Sequence, residues 1–151
     1  MSPGEPERAL ADTNIVVYAH DSTDPARQER ARQLLQDLSD AGRLTFSAQV
    51  FNEFCSRMLR PNRPPALAPE QVRDIVRDLR TTGEVYPVTG DTTPRALDAV
   101  ITYGMSFWDA LLWATARENG ITLIYTEDLP GMPEIEGVRY VNPFEDDGAG
   151  D

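Results

Sequence analysis

At 151 residues, with 40% hydrophobic and 26% charged side chains, the chain has the length and apolar content of one folded domain, which excludes wholesale disorder. No apolar run approaches a membrane span, and Met1 to Glu7 has neither the basic region nor the apolar core of a signal peptide, so a cytoplasmic protein is expected. The formal charge of −11 excludes a mainly electrostatic grip on long duplex nucleic acid.

In chain order, residues 1–7 read as a loose extension. A first strand over Arg8 to Ala11 is weak on β propensity and is inferred chiefly from the Asp12-Thr-Asn14 segment after it. A short helix comes after Asn14. Asp24-Pro25 opens a helix near 25–41 that stops at Gly42, and Leu44 to Phe46 is β-prone. Ser47 is a good N-cap for a helix near 48–60, and the proline-rich stretch from Arg60 to Pro65 is a stiff loop. Ala68-Pro69 opens a helix near 69–81 with Gly83 as its stop, followed by a strand at Val85 to Val88. Thr93-Pro94 starts a helix near 94–103 that ends at Gly104, and Ser106 caps another near 107–119 that ends at Gly120. Ile121 to Tyr125 is the strongest strand, Val138 to Val141 the last, and residues 145–151 read as an acidic disordered tail. Strands alternating with helices predict an α/β fold, a mainly parallel central sheet between two helical layers.

Acids at the carboxyl ends of parallel strands carry functional weight, because ligands bind there. Asp12 ends the inferred first strand, and Asp128 comes after the strongest one. Each could equally cap a turn or helix. Asp109, three residues after Ser106, also fits a capping box. Glu53 lies just off the apolar arc formed by Val50, Phe51, Phe54, Cys55, Met58 and Leu59, where it could face a cleft or bulk water. The set decides more than any member. Carboxylates brought together repel by roughly 4 kcal/mol per close pair at an effective dielectric near 20, so without cations some hold protons. Mg²⁺ or Mn²⁺ removes that cost and suits phosphodiester hydrolysis.

The pieces Asp12-Thr-Asn14, Asn52-Glu53-Phe54, Ser106-Phe-Trp-Asp109, Thr126-Glu-Asp128 and Val141-Asn-Pro-Phe144 occur in one order over residues 9–144. Together they resemble the PIN-domain family, specifically its VapC-like toxin ribonucleases. The resemblance implies a PIN-like three-layer α/β/α domain over 8–144 and a Mg²⁺- or Mn²⁺-dependent endoribonuclease that cuts structured RNA at a single-stranded loop. It assigns Asp12, Glu53, Asp109 and Asp128 to the metal and the chemistry, with Asn14 and Thr126 in support. Glu127 lies beside the site, but the motif favours Asp128. The resemblance also implies a cognate antitoxin protein that inserts a segment, often carrying arginine, into the acidic cleft, and a homodimer. The start before Ala11 is longer and more polar than the family's short apolar one.

Setting aside those four acids, with Glu145, Asp146, Asp147 and Asp151 of the tail, takes eight from 25 acidic residues and leaves 17 against 14 basic ones. The body is therefore only mildly acidic. All 14 basic residues are arginine, so Schiff-base chemistry and a P-loop grip are excluded. The absence of lysine also argues against a phosphoryl-transfer receiver, and Thr13-Asn14 after Asp12 argues against a haloacid-dehalogenase-like phosphatase. A catalytically idle module that only binds protein or RNA is the competing reading, and retention of all four acids weighs against it. His20, the lone histidine, reads as structural or surface, and Cys55 as a buried inert thiol. Arg57, Arg60 and Arg63 could meet RNA phosphates, an acidic antitoxin region or water. Trp108 and Trp113 are expected in the core.

Overall fold

The structure is a computed structural model that describes residues 5–145. Six strands form one sheet in the order β3-β2-β1-β4-β6-β5, where β1 is Ala9–Ala11, β2 Leu44–Ser47, β3 Glu84–Tyr86, β4 Leu123–Tyr125, β5 Glu134–Ile135 and β6 Val138–Val141. Every pairing is parallel except β5 with β6. The helices are α1 Thr13–Ala19, α2 Pro25–Asp40, α3 Ala48–Met58, α4 Pro69–Leu79, α5 Thr92–Tyr103 and α6 Phe107–Glu118. In one group α1 packs on α2 and α3, and α3 on α4; in the other α5 packs on α6. The result is an α/β sandwich around a mixed, mostly parallel sheet.

The strand with the poorest propensity occupies the centre. Ala9, Leu10 and Ala11 are fully buried, with β2 on one side and β4 on the other. A parallel strand hydrogen-bonded on both edges and covered on both faces is set by its surroundings, and small side chains let helices approach. Its entry is tied down as well. The Glu7 carboxylate accepts from the Thr122 hydroxyl at 2.7 Å and from Arg139 at 2.6 Å, while Arg8 donates to the Tyr86 hydroxyl and the Asn119 carbonyl. Of the expected extension over 1–7 and tail over 145–151, residues 1–4 and 146–151 lie outside the described chain.

The helix boundaries obey local punctuation. Pro25 and Pro69 begin α2 and α4, and the Ser47 and Ser106 hydroxyls accept from Gln49 and Asp109 backbone N–H groups. Gly104 closes α5 at φ 69°, a left-handed conformation that costs glycine little. Gly83 acts differently: a Cβ there would lie 2.5 Å from the Leu44 carbonyl oxygen, so glycine is needed for close approach to β2. The first helix does not start after Asn14 but at Thr13, with Asp12 as its N-cap.

Two expectations about burial are corrected, and one strand is added. Trp113 is buried and its indole N–H donates to the Ile135 carbonyl at 3.0 Å, but Trp108 is 61% exposed and lies outside the core. Cys55 is only partly buried; desolvation pushes its thiol up, away from a reactive thiolate. Strand β5 was not anticipated: Glu136 and Gly137, both with positive φ, form a two-residue turn that folds it antiparallel onto β6. His20 is half-buried edge-on to Phe54, with its ring centroid 5.5 Å away.

The site's location is set by strand order. From β1 the chain runs outward through β2 and β3, then returns to place β4 on the other side of β1. At such a switch point the loops leaving the strands diverge and open a crevice at their carboxyl ends. Asp12 comes directly after β1, α3 directly after β2, and Thr126 directly after β4.

Candidate acidic active site

One cavity of about 200 Å³ occupies this crevice, and Asp12, Glu53, Asp109 and Asp128 all line it, with Thr13, Asn14, Gln49, Arg57 and Trp108. Residues spread over more than a hundred positions are thus brought around a single space. Each arrives on a different element: the N-cap of α1, the middle of α3, the first turn of α6 and the loop after β4.

Asp12 forms the crowded floor. Its Oδ1 accepts from the Thr13 backbone N–H at 2.7 Å, and its Oδ2 accepts from the Thr126 hydroxyl at 2.8 Å. Burial pushes its carboxyl up to about 6; these two hydrogen bonds oppose the rise, and the charges of Glu53 and Asp109 add to it. The Thr126 hydroxyl is fully used, since it also accepts from Asn14 Nδ2 at 3.3 Å and the Asp128 N–H at 3.0 Å. Asn14 Nδ2 reaches Asp128 Oδ2 at 3.3 Å, and Asn14 Oδ1 accepts from the Glu127 N–H at 3.2 Å. Asn14 and Thr126 therefore join the loop after β4 to α1.

The neighbouring acids of that loop are separated by their partners. Glu127 accepts from the Tyr18 hydroxyl at 2.8 Å and Arg27 Nε at 3.0 Å, so its charge is engaged away from the cavity. Asp128 lines the cavity. Arg27 also lies over the Tyr18 and Phe144 rings, which fixes this anchor further.

Glu53 accepts from Gln49 Nε2 at 2.8 Å and from the Thr13 hydroxyl at 3.4 Å. Gln49 stands one turn before Glu53 on α3 and also donates to the Trp108 carbonyl at 3.0 Å, tying α3 to the start of α6. Sequence reasoning missed Gln49; its spacing of four from Glu53 was the available signal. At Asp109, half of the expected capping box forms: the backbone N–H reaches Ser106 Oγ at 3.3 Å, while the carboxylate hydrogen-bonds to no group among the described residues. That carboxylate remains available to the cavity. Of the arginines at 57, 60 and 63, Arg57 reaches the cavity wall and Arg63 lies 4.0 Å from Asp21.

The donor set fits a hard divalent cation. All four acidic groups offer oxygen, and the charges of Glu53 and Asp109 add to the burial that raises Asp12. The only two buried side-chain atoms without a partner among the described residues also adjoin the acids. Gln49 Oε1 belongs to the cavity wall, and the burial-raised Tyr140 hydroxyl feels Asp109 and Asp12. Unpaired polar atoms of this kind call for water or an ion. Among the described residues no three acidic, His or Cys groups stand close enough to ligate one ion together. A cation that keeps several waters and touches one or two carboxylates directly, as Mg²⁺ does, is compatible with that spacing.

An α/β domain with an acidic crevice at its sheet's switch point has clear relatives. The PIN domain family profile matches residues 9–130. A VapC ribonuclease of Mycobacterium bovis and ribonuclease VapC13 of Mycobacterium tuberculosis are each 30% identical over 131 residues, 86% of this chain and 96% of the relative. The chain belongs to the PIN domain family. Among solved structures, Mycobacterium tuberculosis VapC20, described as a sarcin-ricin loop cleaving toxin, is 21% identical with TM-score 0.62, covering 80% of this chain and 89% of that one. A Klebsiella pneumoniae toxin-antitoxin complex gives 0.67 at 20% identity, covering 91% and 98%, and DNA-bound VapBC from Salmonella typhimurium 0.65 at 17%, covering 91% and 99%. No helix among the described residues is long and apolar enough to cross a membrane.

Proposed function

We propose that this chain is a cytoplasmic, metal-dependent endoribonuclease, the toxin half of a toxin-antitoxin pair. The observation that carries the reading is the single cavity lined by Asp12, Glu53, Asp109 and Asp128. The VapC names of its relatives support the ribonuclease assignment, and toxin-antitoxin complexes among its structural neighbours support an antitoxin partner. Asp12, Asp109, Asp128 and Glu53 would hold Mg²⁺ or Mn²⁺, which supplies charge neutralisation and Lewis-acid polarisation of a phosphodiester. The protein's own task is to hold the carboxylate oxygens where they would surround the cation. Thr126 and Asn14 fix Asp12 and Asp128, while Gln49 and Thr13 fix Glu53. The same acids would receive an arginine-bearing antitoxin segment by charge-assisted pairing.

The test is induced expression of the parent beside Asp109→Ala, with growth monitored and total RNA resolved. Arrest and discrete fragments only with the parent are expected. Intact RNA and normal growth with folded parent protein would sink the nuclease reading and leave a binding module.

Thr126→Val should lower cleavage by roughly 10- to 100-fold, the usual cost of removing a group that orients a ligand. It takes the donor from Asp12 Oδ2 and the acceptor from Asn14 and Asp128. Single-turnover cleavage of the fragmented RNA reads the effect; a rate within twofold of the parent would remove Thr126 from the site.

A further inference from the structure

The acid cavity has two neighbours that the proposed chemistry does not use. A depression of about 210 Å³ is walled by Glu53, Ser56, Arg57, Arg60 and Trp108. A groove of about 520 Å³ runs between α3 and α6, bounded by Asn52, Val88, Leu111 and Trp108. Glu53 and Trp108 border all three spaces, so these form one continuous surface.

Trp108 stands between these spaces with 61% of its surface exposed, its ring set edge-on against Phe107 at a centroid distance of 5.4 Å. An exposed aromatic that borders an apolar groove rimmed by polar residues marks an interaction site rather than a stray surface side chain. The Arg57 and Arg60 guanidinium groups make no ion pair or hydrogen bond among the described residues, although the chain carries a surplus of acids. Arg57 lies in the last turn of α3 and Arg60 just beyond its C-cap at Leu59, and both face the smaller depression.

A planar apolar platform beside two free guanidinium groups matches an unpaired nucleotide: an uncharged π face next to an anionic linkage. The groove lies within the roughly 300 to 1,000 Å³ of small-ligand sites. In a chain of net charge −11, long-range attraction cannot supply RNA affinity, so local stacking and local arginine contacts must.

Resting on the nuclease reading of the acid cavity, we propose that Trp108, Val88 and Leu111 form a subsite for one unstacked RNA base beside the scissile phosphodiester, with Arg57 and Arg60 holding adjacent backbone phosphates. The subsite selects single-stranded RNA, because a base within a helix cannot present its face to the indole.

The test uses an Asp109→Asn background, so that RNA stays intact, with Mg²⁺ present and fluorescein-labelled ten-nucleotide oligoadenylate, oligocytidylate and oligouridylate as probes. Fluorescence anisotropy is read over a range of salt concentrations, with circular dichroism to verify folding. Trp108→Ala is expected to weaken binding by about 5- to 150-fold, the range of base-aromatic stacking, and Trp108→Phe to recover most of it. Arg57→Gln with Arg60→Gln should lower the slope of log affinity against log salt by about 1.4, near 0.7 for each lost phosphate contact. Failure of every probe to bind the background protein, or equal affinity with Trp108→Ala, overturns the proposal. Equal affinity assigns the groove to a protein partner instead. Cleavage by the otherwise unaltered chain judges the nuclease reading separately, so the subsite can fail while that reading stands.

Discussion

Asp109→Ala is expected to lower single-turnover RNA cleavage by about a thousandfold or more, with the fold unchanged. Losing one group that stabilises developing charge costs about a hundred- to a thousandfold, and under the proposed metal-holding role Asp109 belongs at or above the upper end. Asp109 gives the cleanest test of the four acids because its carboxylate hydrogen-bonds to no group among the described residues, so truncation orphans nothing. Asp12→Ala would also remove the N-cap of α1 and the acceptor for Thr126, mixing stability with chemistry. A combined Asp12 and Asp109 variant should be little slower than either alone, since groups that act as one unit are not additive. Cleavage within tenfold of the parent after Asp109→Ala would remove that residue from the chemistry.

Asp12→Asn is expected to abolish cleavage and stabilise the metal-free fold. The Asp12 carboxyl is raised from an ordinary 3.8 to about 6, chiefly by burial, so the folded chain prefers it protonated. Between those two values the folded state holds a proton that the unfolded state has released, so stability rises as pH falls through 6 and the gain is complete below 3.8. Above 6 the full penalty applies, about 3 kcal/mol for a gap of that size. Asparagine cannot ionise and retains the oxygen that caps α1; its amide N–H replaces the oxygen that accepts from Thr126, a loss that subtracts from the gain at every pH. At pH 8 in chelator the variant should melt several degrees above the parent, at roughly 2 to 4 °C per kcal/mol, and the advantage should vanish near pH 4. Denaturation of both proteins across that range is the measurement. An advantage independent of pH would show that Asp12 ionisation is not its source.

Local and long-range determinants of this fold differ in how plainly the sequence carries them. Helix ends are written locally, in Pro25, Pro69, Ser47, Ser106 and Gly104, and each does in the structure what its chemistry favours. The central strand is not written locally, because Ala9-Leu10-Ala11 becomes a strand through β2 and β4. Strand β5 has two residues and a turn whose Glu136 takes a φ of 48°, so neither length nor turn composition announced it. Trp108 was misplaced because residues 110 to 116 of α6 are buried all around, leaving no polar face to show where the helix emerges.

The candidate site was legible as four acids in order, but not as a geometry. Glu53 could be placed at the margin of an apolar arc and Gln49 four residues before it, yet Thr13, which also orients Glu53, emerges only from the packing of α1 against α3. Glu127 and Asp128 are adjacent carboxylates of nearly equal chemistry. What separates them is Tyr18 and Arg27, about a hundred residues earlier, and no local pattern carries that information.

The bond between Thr126 and Asp12 spans 114 residues, which bears on how the protein is made. During synthesis the first half of the chain can bring out only Asp12 and Glu53, because Asp109 comes later and Asp128 must wait for β4 to dock beside β1. A nascent chain halted before residue 109 holds two of the four acids and lacks the strand that fixes the floor of the cavity. The proposed four-acid site therefore cannot assemble on the ribosome until the chain has emerged past residue 128.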